Sequence, residues 1–191
     1  HWLGTSMGGL IGMMIAAFNP MFIKSFVIND IGPMVPAGGL NRLAEYVGVE
    51  ATFADKETAM ASFEEITECF GMNEAQKDKL FEHSFIANSD GSYDIHYDSE
   101  IRQVFLNENG EIKEQHDVLM WDIWENLKCP TFVLHGQESD ILLSETFEQM
   151  KKSPFVEHAL EFDGVGHPPV LMTEEQIKPV VDWFESFLPS R

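Results

Sequence analysis

Three short, mostly apolar runs, Phe26-Val27-Ile28, Thr131-Phe132-Val133-Leu134 and His158-Ala159-Leu160-Glu161-Phe162, read as parallel strands buried on both faces. Helical patterns fall between and after them. Gly8 to Phe18 is apolar on nearly every side and stops at Asn19-Pro20, which predicts a helix inside a layered core. Ser144 opens a second helix that ends in Lys151-Lys152, where cations suit the negative end of the helix dipole. The last helix starts with Thr173 and Gln176 in capping-box spacing and carries Val180, Val181, Phe184 and Phe187 at helical intervals. Strands alternating with helices predict an α/β fold with an open, mostly parallel sheet and flanking helices.

The texture changes between Ile31 and Lys128. Amphipathic helices are expected over Leu40 to Val47, over Lys56 to Phe70 closed by Gly71, and over Asn73 to Ala87 with Asn73 and Gln76 as a cap pair. The turn clusters Ser89-Asp90-Gly91-Ser92 and Asn107-Glu108-Asn109-Gly110 follow, with a strand or extended loop through Tyr93, Ile95 and Tyr97 between them. The expected organisation is core over 1–30, a helical insertion over 31–128, and core again over 129–191 from Cys129-Pro130.

Composition narrows the partners. Against 12 Lys and Arg stand 32 Asp and Glu, a formal net charge of −20, which repels nucleic acid and anionic lipid headgroups. The longest apolar stretch is too short to cross a bilayer, so no membrane partner is expected. Cys69 and Cys129 match neither CxxC nor zinc spacing and read as small buried hydrophobes of a reducing, cytoplasmic compartment. The histidines, His135 included, lack metal-ligand spacing, so neither a metal nor a cofactor is expected.

The strongest chemical signal is Gly4-Thr5-Ser6-Met7-Gly8, followed by Gly9, which fits G-x-S-x-G between a strand end and an apolar helix. A sharp strand-to-helix turn lifts the serine hydroxyl clear of the sheet, and glycine two positions either side is expected to avoid collisions. The helix N-terminus would put the Met7 backbone N–H beside a developing oxyanion. A serine needs a base and an orienting acid, and both follow on strand-end loops: Asp140 in Leu134-His135-Gly136-Gln137-Glu138-Ser139-Asp140, and His167 in Gly164-Val165-Gly166-His167-Pro168. Glu138 is the competing acid. The plainer readings are that Ser6 caps a buried helix, Asp140 caps the next one, and His167 is a polar loop residue.

GTSMGGLIG, LHGQESD and GVGHPP together resemble the α/β-hydrolase superfamily, in its serine esterase branch with a helical cap. The resemblance implies Ser6 as nucleophile, Asp140 as acid, His167 as base, Met7 as first oxyanion donor, and a small ester-like substrate. Serine at the nucleophile position argues against the aspartate-attack chemistry of related dehalogenases and epoxide hydrolases. Met34, Phe63, Phe70, Met120, Trp121 and Trp124 could line an acyl pocket or form the core of the cap. A binding or sensing protein on a hydrolase frame is the alternative reading.

In that family, earlier strands and a second oxyanion donor precede the serine, so a chain opening at His1 reads as truncated at the nucleophile elbow, with its own activity in question. The same reasoning leaves Phe26-Val27-Ile28 with an unpaired edge, expected to pair with another copy or an upstream segment.

Overall fold

The computed structural model describes residues 1–189. Along the chain the elements are β1 (Trp2–Thr5), α1 (Met7–Phe18), β2 (Phe26–Asn29), β3 (Met34–Val35), α2 (Ala37–Tyr46), β4 (Thr52–Phe53), α3 (Lys56–Thr67), α4 (Glu74–Ser84), β5 (Phe85–Ala87), β6 (Tyr93–Ile95), β7 (Val118–Leu119), α5 (Trp121–Glu125), β8 (Thr131–Gly136), α6 (Ser144–Met150), β9 (Val156–Phe162) and α7 (Glu174–Glu185). Tight 3-10 turns cover Glu68–Phe70 and Ser99–Phe105. The chain divides into two compact units, residues 1–37 with 117–191, and residues 38–116.

The first unit is built on a parallel sheet in the order β1-β2-β8-β9. Thr5 stands level with Asn29, and Asn29 with Leu134, so the carboxyl ends of neighbouring strands share one edge. That edge is where open α/β sheets hold ligands. Phe26, Val27 and Ile28 are all fully buried, and β2 is paired on both sides, by β1 and by β8. This corrects the expectation of an unpaired edge there: the four residues Trp2–Thr5 are enough to form a strand against it. Helix α1 packs Gly9, Gly12, Met13 and Ala16 inward but leaves Met14 and Phe18 exposed, so it is apolar without being buried all round.

The boundaries of the second unit lie inside the expected insertion. Residues 31–37 and 117–128 stay with the core because β3 pairs with β7, Met120 N–H donates to Pro33 O, and Asp117 accepts the Ala37 N–H. The second unit is also not purely helical. Its antiparallel sheet, in the order β4-β6-β5, uses Phe85–Ala87, which the helical pattern had assigned to the end of α4. Phe63, Phe81 and Ala59 form the buried centre of this unit, with Phe53, Phe85 and Tyr93 packed against them. Both cysteines are free; Cys129 is buried, and that burial pushes its thiol pKa up.

Candidate functional site

The turn from β1 into α1 is as sharp as its sequence demands. Ser6 has φ 51°, a left-handed conformation that is strained for a side chain with a Cβ. A Cβ on Gly4 would come within 2.2 Å of the Gly8 carbonyl oxygen, and one on Gly9 within 2.4 Å of Ile31. Gly8 itself faces open space, so the close approach is made at Gly4 and Gly9 rather than at both ends of the five-residue motif. The Ser6 side chain makes no capping hydrogen bond to α1.

Its hydroxyl meets the histidine instead. Ser6 Oγ lies 2.9 Å from His167 Nε2, and His167 Nδ1 lies 2.9 Å from Asp30 Oδ2. A carboxylate only accepts, so Nδ1 carries the ring proton and Nε2 is left with its lone pair toward the serine. Asp30 is fully buried, and its second oxygen accepts the Gly136 N–H at 2.8 Å. Its own backbone, at φ 57°, takes the left-handed turn that Asp tolerates better than most residues. Ser6, Asp30 and His167 thus follow β1, β2 and β9, and Gly136, at the end of β8, fixes the carboxylate between them.

No family model matches the chain. A curated relative, the 3-hydroxybutyrate-oligomer hydrolase of Cupriavidus necator, is 27% identical over 187 residues, covering 96% of this chain and 64% of that protein. Among solved structures, a Rickettsia typhi protein described as a hydrolase superposes with a TM-score of 0.84 at 32% identity, covering 98% of this chain and 62% of that one. An α/β hydrolase from Novosphingobium aromaticivorans superposes at 0.82 with 30% identity, over 96% of this chain and 64% of its own. The chain belongs to the α/β-hydrolase superfamily. It spans just under two thirds of the length of these relatives.

Within the superfamily frame the acid was expected at Asp140, whereas the carboxylate 2.9 Å from His167 Nδ1 is that of Asp30. The two positions follow adjacent strands, β2 and β8, and end near the same edge. The N-cap position of α6 is held by Leu143, and the loop before it is pinned by Ser139 Oγ, which accepts the N–H groups of Ile141 and Leu142. Glu138, the competing acid, is exposed. His135 is fully buried, with Nδ1 2.8 Å from Glu161 and Nε2 2.8 Å from the Leu142 carbonyl, and so braces this loop. The signal for Asp30 was its place: a carboxylate directly after the all-apolar strand next to the serine strand. It went unread because the strand was taken to end at Ile28, which made Asp30 a boundary residue.

As the first residue of α1, Met7 has a backbone N–H of the kind for which a helix provides no acceptor. Among the described residues, no group of three or more His, Cys, Asp or Glu is arranged to hold a metal ion. No helix among them is long and apolar enough to cross a membrane.

Proposed function

We propose that this chain carries the catalytic centre of a serine hydrolase that cleaves an ester-like carbonyl. The observation that carries the reading is the continuous row Ser6 Oγ, His167, Asp30, with both ring nitrogens at 2.9 Å from their partners. His167 Nε2 takes the hydroxyl proton as Ser6 Oγ bonds to the substrate carbonyl carbon, and Asp30 holds the imidazole in the required tautomer. The carbonyl π electrons move onto oxygen, where the Met7 N–H and the α1 N-terminus favour the negative charge. Collapse of this intermediate expels the alkoxide, which leaves as an alcohol with the proton from the imidazolium. Water then repeats the sequence on the acyl-enzyme and releases the acid.

The similarity to a 3-hydroxybutyrate-oligomer hydrolase makes esters of short hydroxy acids the first substrates to try. The deciding experiment is intact mass after treatment with a fluorophosphonate probe, with Ser6→Ala as control. One equivalent of label on the wild type and none on the variant is the expected result. An unlabelled wild type, under conditions where a known serine hydrolase reacts, rejects the reading in favour of a binding protein.

A further inference from the structure

Asn29 is fully buried, yet its carboxamide is only half satisfied. Nδ2 donates to Thr5 Oγ1 at 3.0 Å and to the Pro169 carbonyl at 2.8 Å, while Oδ1 has no partner. Turning the amide over brings no relief, because it would aim Oδ1 at the Pro169 oxygen, which can only accept. The main-chain oxygen of Asn29 also accepts the Ser6 N–H at 3.1 Å. One residue therefore bonds beside the serine, bonds two positions past the histidine, and is followed directly by Asp30.

A buried acceptor without a donor is unfavourable, a cost that the two N–H bonds of the same amide must offset. What the amide uniquely supplies is two N–H groups that join the serine strand to the histidine loop. The Ser6–His167 bond cannot hold that spacing, since it breaks once Ser6 is acylated. The Asn29 bonds involve no proton that moves and persist through every step.

We propose that Asn29 is a positioning residue that fixes the separation of Ser6 and His167; this rests on the serine-hydrolase reading above. The test is Asn29→Leu, which keeps the branching and the heavy-atom count of the side chain, removes the unpaired acceptor Asn29 Oδ1, and withdraws the Nδ2 donor from Thr5 Oγ1 and Pro169 O. Hydrolysis of p-nitrophenyl butyrate should show kcat reduced about 10- to 100-fold, the range expected when reacting groups are slightly misplaced, with KM changed less than about twofold. Fluorophosphonate labelling should slow in parallel, while Tm stays within about 4 °C. Thr5→Val removes one of the two bonds and should lose part of the same kcat, with the double variant less than additive.

Unchanged kcat in Asn29→Leu, with wild type labelled at Ser6, overturns the proposal and leaves the hydrolase reading standing. A fall in kcat that merely tracks a large fall in Tm makes Asn29 structural and also overturns it. A wild type that neither labels nor hydrolyses the ester removes both.

Discussion

The two units bury different things. Of ten polar or charged side chains buried among the described residues, nine belong to the first unit: Ser25, Asn29, Asp30, Thr131, His135, Ser139, Thr146, His167 and Gln176. In the second unit only Thr67 is buried, and it bonds back to the Phe63 carbonyl within its own helix. The centre of that unit is aromatic: Phe81 stacks on Phe85 at 4.5 Å and meets Phe63 edge-on at 5.8 Å. Its polar groups work near the surface as helix caps and turn bonds, as at Asp55, Asn73 and Asp90. Burying a polar group is unfavourable unless it is bonded, so the first unit, which does so repeatedly, has its buried side chains positioned by specific partners, as His167 is by Ser6 and Asp30. A unit that buries rings is holding only itself together.

The largest test of that contrast compares two carboxylates on neighbouring loops of the first unit. Asp30→Asn should lower kcat by about 10³- to 10⁴-fold, because an amide at that position favours the wrong histidine tautomer. Asp140→Asn should lower it less than about tenfold, since the carboxylate at hydrogen-bond distance from His167 Nδ1 is that of Asp30. Steady-state ester hydrolysis at saturating substrate checks both. The reverse ranking would return the acid role to Asp140 and leave the buried Asp30 as a purely structural group.

How far the sequence could be read follows from the same contrast. The parallel core was legible because β2 and β8 are continuously apolar, and the elbow was legible because Gly4 and Ser6 answer to one local constraint. His167 drew attention for a similar reason, as a histidine on a glycine-bracketed loop just past a strand, and its ring lies 2.9 Å from Ser6 Oγ. The contacts of Asp30 and Asn29 were not legible because they depend on which strand lies beside which, and register is not written in any one segment. In the second unit, Asn73 and Gln76 were readable as a reciprocal cap, and both bonds form. Phe85-Ile86-Ala87 was not readable, because three residues continuing a helical pattern became a strand only by pairing with β6.

A smaller effect is expected in the aromatic centre of the second unit. Phe81→Ala removes a ring that is 3% exposed and in contact with Phe63, Phe85 and Tyr93, so the loss should be about 3–5 kcal/mol. Urea unfolding followed by peptide-resolved hydrogen exchange across 53–95 measures it. A loss under about 1 kcal/mol would mean that local caps, rather than rings, hold the unit together.

The smallest effect, and the one that separates caps from core, is at Asp55. Its carboxylate accepts the Thr58 N–H at 2.9 Å and the Thr58 hydroxyl at 3.0 Å, and these bonds hold its pKa below the ordinary 3.8. The folded state therefore binds the Asp55 proton less readily than the unfolded chain does. Its contribution to stability is complete above 3.8 and disappears as pH falls from there through the lower folded value. Asp90 and Asp94, held low first by side-chain bonds to Ser92 and to Thr52, respectively, shift in the same direction. Asp55→Ala should thus speed amide exchange at the start of α3 at neutral pH, and the difference from wild type should close in acid. A difference that persists in acid would show that the hydrogen bonds to the charged carboxylate are not what secures this helix end.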